Sequence, residues 1–130
     1  MPVQTPITVD DGKATPLARV FKALGVAAGV ARYAESASDG SLLKRVTMIF
    51  TQKLPGKGRG TALEQIEIAY PYVVVKDGVE VVHSTVRMEV RMISDPAVPE
   101  AVIKDCFVIG RNMLANADMV TAFSAREGIN

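Results

Sequence analysis

The spacing of apolar residues changes once along this chain, at Asp95-Pro96, and that change narrows the folds open to it. Before it, the apolar residues fall two apart. In Lys44 to Gln52, Val46, Met48 and Phe50 alternate with Arg45, Thr47, Ile49 and Thr51. In Leu63 to Ala69, Ile66 and Ile68 alternate with Leu63, Gln65 and Glu67, and later Val86, Met88, Val90 and Met92 alternate with Thr85, Arg87, Glu89 and Arg91. Side chains two apart share a face of a strand, so each segment predicts a strand with one apolar and one mixed face. After Pro96, Val102, Cys106, Ile109 and Met113 fall at helical intervals, with Ile103, Phe107, Gly110 and Leu114 in the next row. Glu100, Lys104, Asp105, Arg111 and Asn112 take the other side, which makes an amphipathic helix entered near Pro99 and Glu100. Asn116 is placed to cap a second short helix carrying Met119, Val120 and Phe123.

The remaining segments supply shorter strands and connections. Thr5 to Val9 and Thr15 to Leu24 predict an N-terminal hairpin around Asp10-Asp11-Gly12-Lys13, with Pro16 confining the second arm to an edge or an irregular start. Gly25 to Tyr33 is small and apolar and reads as a further strand, and Glu35 to Ser41 as a loop. Leu54 to Gly60 reads as a flexible turn, and Lys76-Asp77-Gly78 as a hairpin turn between Tyr72 to Val75 and Val79 to Val82. Strands followed by helices predict an α+β fold: an N-terminal hairpin, a five-stranded antiparallel meander and two C-terminal helices gathered on one face. The expected organisation is one domain over 1–130, with the hairpin in 1–24, the sheet in 25–94 and the helices in 96–130. Two helices span little of so wide a sheet, whereas the helices of a second copy would cover the rest, so a homodimer is expected.

Several classes are disfavoured. With 48% hydrophobic residues the chain is not a disordered one. No apolar run approaches the roughly 18 residues of a membrane span. Met1 to Val9 lacks the basic start and apolar stretch of a secretory signal. The single cysteine, Cys106, permits no internal disulfide framework and suits a reducing cytoplasm. Net charge is only +1, yet residues 13–59 hold nine basic residues against two acidic ones, while 60–130 hold six against ten. A basic half beside an acidic half fits a surface facing a polyanion, and equally an unevenly sampled polar surface.

Catalytic candidates are few. His83, the only histidine, sits in Val-Val-His-Ser-Thr with no acidic residue at a suggestive spacing, so it reads as a strand-surface residue rather than part of a triad or metal site. Cys106 falls on the apolar helix face, where an inert buried thiol is expected. Gly56-Lys57-Gly58-Arg59-Gly60 lacks the phosphate-loop spacing and its Lys-Ser/Thr pair, and reads as a basic turn. No catalytic residue, metal ligand or cofactor is expected. The mixed sheet face, with Arg45, Thr47, Thr51, Gln65, Thr85, Arg87 and Arg91 beside Glu67 and Glu89, offers donors for phosphates and base edges, and fits an ordinary solvated β-surface as well.

These residues resemble a family, the coat proteins of single-stranded RNA bacteriophages. Gly29-Val30-Ala31-Arg32-Tyr33 is similar to that family's Gly-Val-Ala-acidic-Trp strand, Lys44-Arg45-Val46-Thr47 with Gln52 to its next strand, and Met88-Glu89-Val90 to its Met-Glu-Leu on the last strand before the helices. The order of elements agrees over nearly the whole chain. The resemblance implies a capsid protein: two copies join their sheets, the helices of each pack on the partner's sheet, and dimers assemble into an icosahedral shell, usually of T=3 type, around single-stranded genomic RNA. It implies a virion protein made in a bacterial host's cytoplasm, with neither a membrane nor a small-molecule substrate as partner. The inner sheet face would bind RNA, including a hairpin that represses translation. Carried over by position, the RNA-binding set is Arg45, Thr47, Ile49, Thr51, Gln65, Glu67, Thr85, Arg87 and Arg91, beside Val30. Ile49 stands where a small polar residue is common, Gln65 replaces a lysine, Thr85 a base-stacking tyrosine and Arg87 an asparagine. The dimer interface would use Val102, Ile103, Cys106, Phe107, Ile109 and Met113. Val75, Lys76, Asp77, Gly78 and Val79 would form the loop between dimers, without the disulfides of some members. The alternative class is a small cytosolic dimeric α+β ligand-binding domain or enzyme.

Overall fold

The structure, a computed structural model, describes residues 6–10, 12, 18–35, 43–56 and 60–125. The chain forms two compact units, Met1–Ile93 and Ser94–Asn130. The first is a sheet of β1 (Ile7–Asp10), β2 (Ala18–Ala27), β3 (Val30–Glu35), β4 (Thr47–Lys53), β5 (Ala62–Lys76) and β6 (Val79–Ser94). Strand order follows chain order from β1 to β6, the expected antiparallel meander.

The N-terminal hairpin is not a separate piece. β2 pairs with β1 through Ile7↔Phe21 and with β3 through Phe21↔Glu35, so the hairpin supplies the first two strands of the same sheet. The expected boundary between residues 24 and 25 falls inside β2. Its register shifts between Ala23 and Gly25, which leaves Leu24 as the unmatched residue of a bulge. Gly25 to Tyr33 is correspondingly two strands, parted by a turn at Ala28-Gly29. Both turn residues have positive φ, 51° and 78°, the combination of a type I′ turn whose twist matches that of the flanking strands. Asp77 (51°) and Gly78 (77°) repeat it between β5 and β6. The segments read as separate short strands around Pro71 and Ser84 are continuous in β5 and β6. Contacts between these two strands join Tyr72 to His83 and Glu67 to Arg87, an interval of five residues on β5 but four on β6. One β5 residue is therefore unmatched in that interval. Pro71, which has no N–H to give a ladder, lies within it.

The buried apolar residues are Phe21, Ala31, Ala34 and Val46, all on β2, β3 or the approach to β4. Beside them Arg19 stitches the sheet. Its Nη1 lies 3.1 and 3.3 Å from the Glu35 carboxylate oxygens, its Nη2 donates to Tyr70 Oη at 3.2 Å, and the guanidinium lies 5.3 Å from the Tyr70 ring centroid. Glu35 Oε2 also accepts from the Val46 N–H at 3.3 Å. A planar fork that bonds a carboxylate and stacks on a ring is a task for arginine rather than lysine.

The second unit holds α1 (Glu100–Ala115) and α2 (Ala117–Ala125). Asp95 Oδ1 accepts from the Ala97 N–H at 2.7 Å, turning the chain before Pro99. The Pro99 carbonyl, on extended backbone, accepts from Val102 and Ile103 and begins α1. Asn116 acts at both helices: its N–H donates to Met113 O, and its Oδ1 accepts from Asp118 and Met119 as the N-cap of α2. Neither helix has a buried residue.

Candidate nucleic-acid interface

Pairing fixes which residues share a face, because directly opposed residues point the same way. Thr47 opposes Ala34 and Ala69, Ile49 opposes Arg32 and Glu67, and Thr51 opposes Val30 and Gln65. Lys22 opposes Ala34, and Lys53 opposes Leu63, which extends the same face to β2 and to the far end of β4. Arg87 joins it from β6: its Nη1 lies 3.0 Å from Glu67 Oε1. Alternation from Arg87 places Thr85, Glu89 and Arg91 there too.

The reverse face carries Phe21, Ala23, Val26, Ala31, Tyr33, Met48, Phe50, Ile66 and Ile68. The polar groups among them are tied to one another: Gln52 Nε2 donates to Glu64 Oε1 at 3.3 Å, and Arg19 holds Glu35. The sheet is thus sorted into a polar and an apolar side.

Of the residues expected to bind RNA, Thr47, Ile49, Thr51, Gln65, Glu67 and Arg87 are brought together, with Val30. Arg45 lies ahead of β4, half-buried, with its Nε lacking a hydrogen-bond partner. Three cations that sequence reasoning did not assign, Lys22, Arg32 and Lys53, stand on the polar face and are exposed. The alternation within Val30 to Glu35 carried a signal for Arg32. Lys22 was hidden by the bulge at Leu24, which reverses the phase of β2.

The other candidates stay apart. His83 is exposed on β6 with its ring edge-on to Tyr72, centroids 5.9 Å apart, as a strand-surface histidine should be. Cys106 is exposed rather than buried, as part of a helix with no buried residue. Lys57 and Arg59 lie outside the described residues. No three His, Cys, Asp or Glu side chains gather to hold a metal among the described residues.

Two apolar surfaces are open. On the helices, Val102, Phe107, Ile109 and Met113 are exposed with Val120 and Phe123, while Ile103 is partly covered. On β6, Val79, Val81, Val82, Val86, Met88 and Val90 are exposed along an edge strand of the sheet. The hairpin tip, Val75 to Val79, is exposed throughout.

This arrangement is that of the coat-protein fold of single-stranded RNA bacteriophages. The chain superposes on the subunit of the virus-like particle of Beihai levi-like virus 21 with a TM-score of 0.87, at 14% identity over 99% of each chain. The virus-like particle of bacteriophage NT-214 gives 0.81 at 17% identity, covering 97% of this chain and 98% of that one. The bacteriophage GA capsid protein gives 0.68 at 16% identity over 97% of both. At these identities the likeness is one of fold. No protein-family model matches the sequence, and no curated protein matches it.

Proposed function

We propose that this chain is the shell-forming subunit of a single-stranded RNA phage particle, with no enzymatic activity. The end-to-end likeness of its fold to subunits of virus-like particles carries the reading. The open apolar surfaces support it. Exposed contiguous apolar area marks an association site, and a copy of the same chain offers a matching pair of surfaces about a two-fold axis. Residues 96–130 serve as the dimerisation element, with Val102, Ile103, Cys106, Phe107, Ile109 and Met113 packing on the partner's strands. The hairpin tip, Val75 to Val79, makes contacts between dimers. The polar sheet face turns inward and binds RNA, and translational repression through an RNA hairpin would use that same face.

Expression of the chain alone tests this. Electron microscopy of the purified protein should show closed particles containing nuclease-protected RNA. A small dimer free of RNA across a range of salt would refute the reading. Phe107→Asp, which puts a charge into the proposed dimer contact, should abolish particles and leave monomer or aggregate.

A further inference from the structure

We propose that Lys44 is a positioning residue for assembly: through Glu80 it sets the direction in which the tip of the β5–β6 hairpin points. This rests on the shell-forming reading above, in which that tip joins dimers.

The ladder between β4 and β5 ends at Thr47↔Ala69. From Tyr70 to Lys76, β5 runs on for seven residues, about 20 Å, with β6 as its neighbour. Counting back from the Asp77-Gly78 turn sets Val75 opposite Glu80 and Tyr72 opposite His83, in agreement with the ring contact between the latter two. A two-stranded hairpin is marginal by itself, so the direction of this arm depends on how its root is held. That root is irregular. The unmatched β5 residue between Glu67 and Tyr72 lies there, and a bulge bends the strand that carries it.

Two side chains from earlier in the chain grip the arm. At its foot, Arg19 Nη2 donates to Tyr70 Oη at 3.2 Å. Near its tip, Lys44 Nζ lies 3.1 Å from Glu80 Oε1. Lys44 sits in the turn ahead of β4, so this second grip crosses β5 and reaches the strand beyond it. A compact ammonium on a flexible stem suits such a reach, which needs a charge rather than a fixed fork. The two side chains are 46% and 41% exposed, so water screens the pair, and it shifts an equilibrium by about fivefold at most. That is too little to hold the fold together and enough to bias the pose of an arm. A dimer carries two arms, so the bias acts twice, up to about twenty-five-fold.

The test compares the full-length chain with its variants by two measurements. One is the lowest protein concentration at which closed particles form, followed by light scattering and electron microscopy. The other is thermal unfolding at one fixed concentration. Lys44→Gln and Glu80→Gln should each raise the assembly threshold by about five- to twenty-five-fold, with melting temperatures matched to the parent chain. Lys44→Arg should stay near the parent threshold. The double variant Lys44→Glu, Glu80→Lys, which reverses the pair, should return to it, whereas each of its halves alone should not. High salt should bring the parent and Lys44→Gln together, because it screens an exposed pair. An unchanged threshold in both glutamine variants, or a reversed pair that restores nothing, would overturn the positioning role. So would a melting temperature that falls in step with assembly, since the pair would then serve the stability of the fold. A parent chain that forms no particles under any condition would instead refute the shell-forming reading.

Discussion

Gly29 gives its carbonyl to the Gln52 N–H at 2.8 Å, and the carbonyl of Gln52 occupies the space where a Cβ on Gly29 would stand. The β2–β3 turn is thereby pressed against β4. Gly29 also has a φ of 78°, in the left-handed region that costs other residues about 1–2 kcal/mol. Gly29→Ala meets both obstacles, the conformation and a backbone carbonyl that cannot step aside. It should lower stability by more than about 2 kcal/mol in denaturant unfolding; an unchanged midpoint would show that the turn relaxes freely.

The preceding residue invites the opposite change. Ala28 sits at φ 51°, where asparagine is at ease and alanine is strained. Ala28→Asn should raise stability by about 1 kcal/mol and Ala28→Val should lower it, read from thermal unfolding at one fixed protein concentration.

Arg19 supports a third prediction. Its side chain and that of Glu35 are 16% and 17% exposed, so their pairing is only partly screened by water. Arg19→Lys keeps the charge but loses the forked contact and the stacking on Tyr70, and should cost about 1 kcal/mol. Arg19→Met, which leaves the Glu35 carboxylate without its cation, should cost more than Arg19→Lys. Equal losses in the two variants would show that charge, not geometry, is irrelevant at this corner.

The fourth concerns the polar face. Arg87 is 63% exposed and pairs with Glu67, a contact of the kind worth little in water. Glu67→Gln removes one of the two anions and frees Arg87 for phosphate. RNA affinity should rise and the salt slope steepen by up to about 0.7. Arg87→Ala should weaken binding and flatten the slope, and less so when Glu67 is already glutamine. Filter binding at several salt concentrations measures all three.

Much of this architecture is written locally. The alternation from Val46 to Thr51 fixes two faces of β4, Asp77-Gly78 marks its own turn, and Asn116 caps α2 as its position suggests. What sequence reasoning missed depends on partners far along the chain. Ala28 carries none of the usual turn chemistry, and the turn exists because β2 and β3 pair on either side of it. Arg19 lies 16 residues from Glu35 and 51 from Tyr70, so no local pattern announces their meeting. The same holds for the candidate interface: Thr47, Ile49 and Thr51 were legible from alternation, which also carries on to Lys53, whereas Lys22, behind the bulge at Leu24, needed the register to be assigned a side. Cys106 shows the complementary limit, since helical spacing reveals an apolar stripe but not which molecule covers it.

The two edges of the sheet differ sharply. β1 has four residues, a length that offers little to a stray strand, while β6 has 16, rich in valine and methionine and backed by open apolar side chains. A subunit with such an edge is poorly suited to a solitary existence. In the proposed dimer, folding and pairing would be one reaction of higher than first order in protein, so that dilution would act as a denaturant and the melting temperature would climb with concentration. Synthesis that raises many copies quickly in one place then favours assembly over aggregation, because the same exposed edge leads to either, depending on which neighbour arrives first.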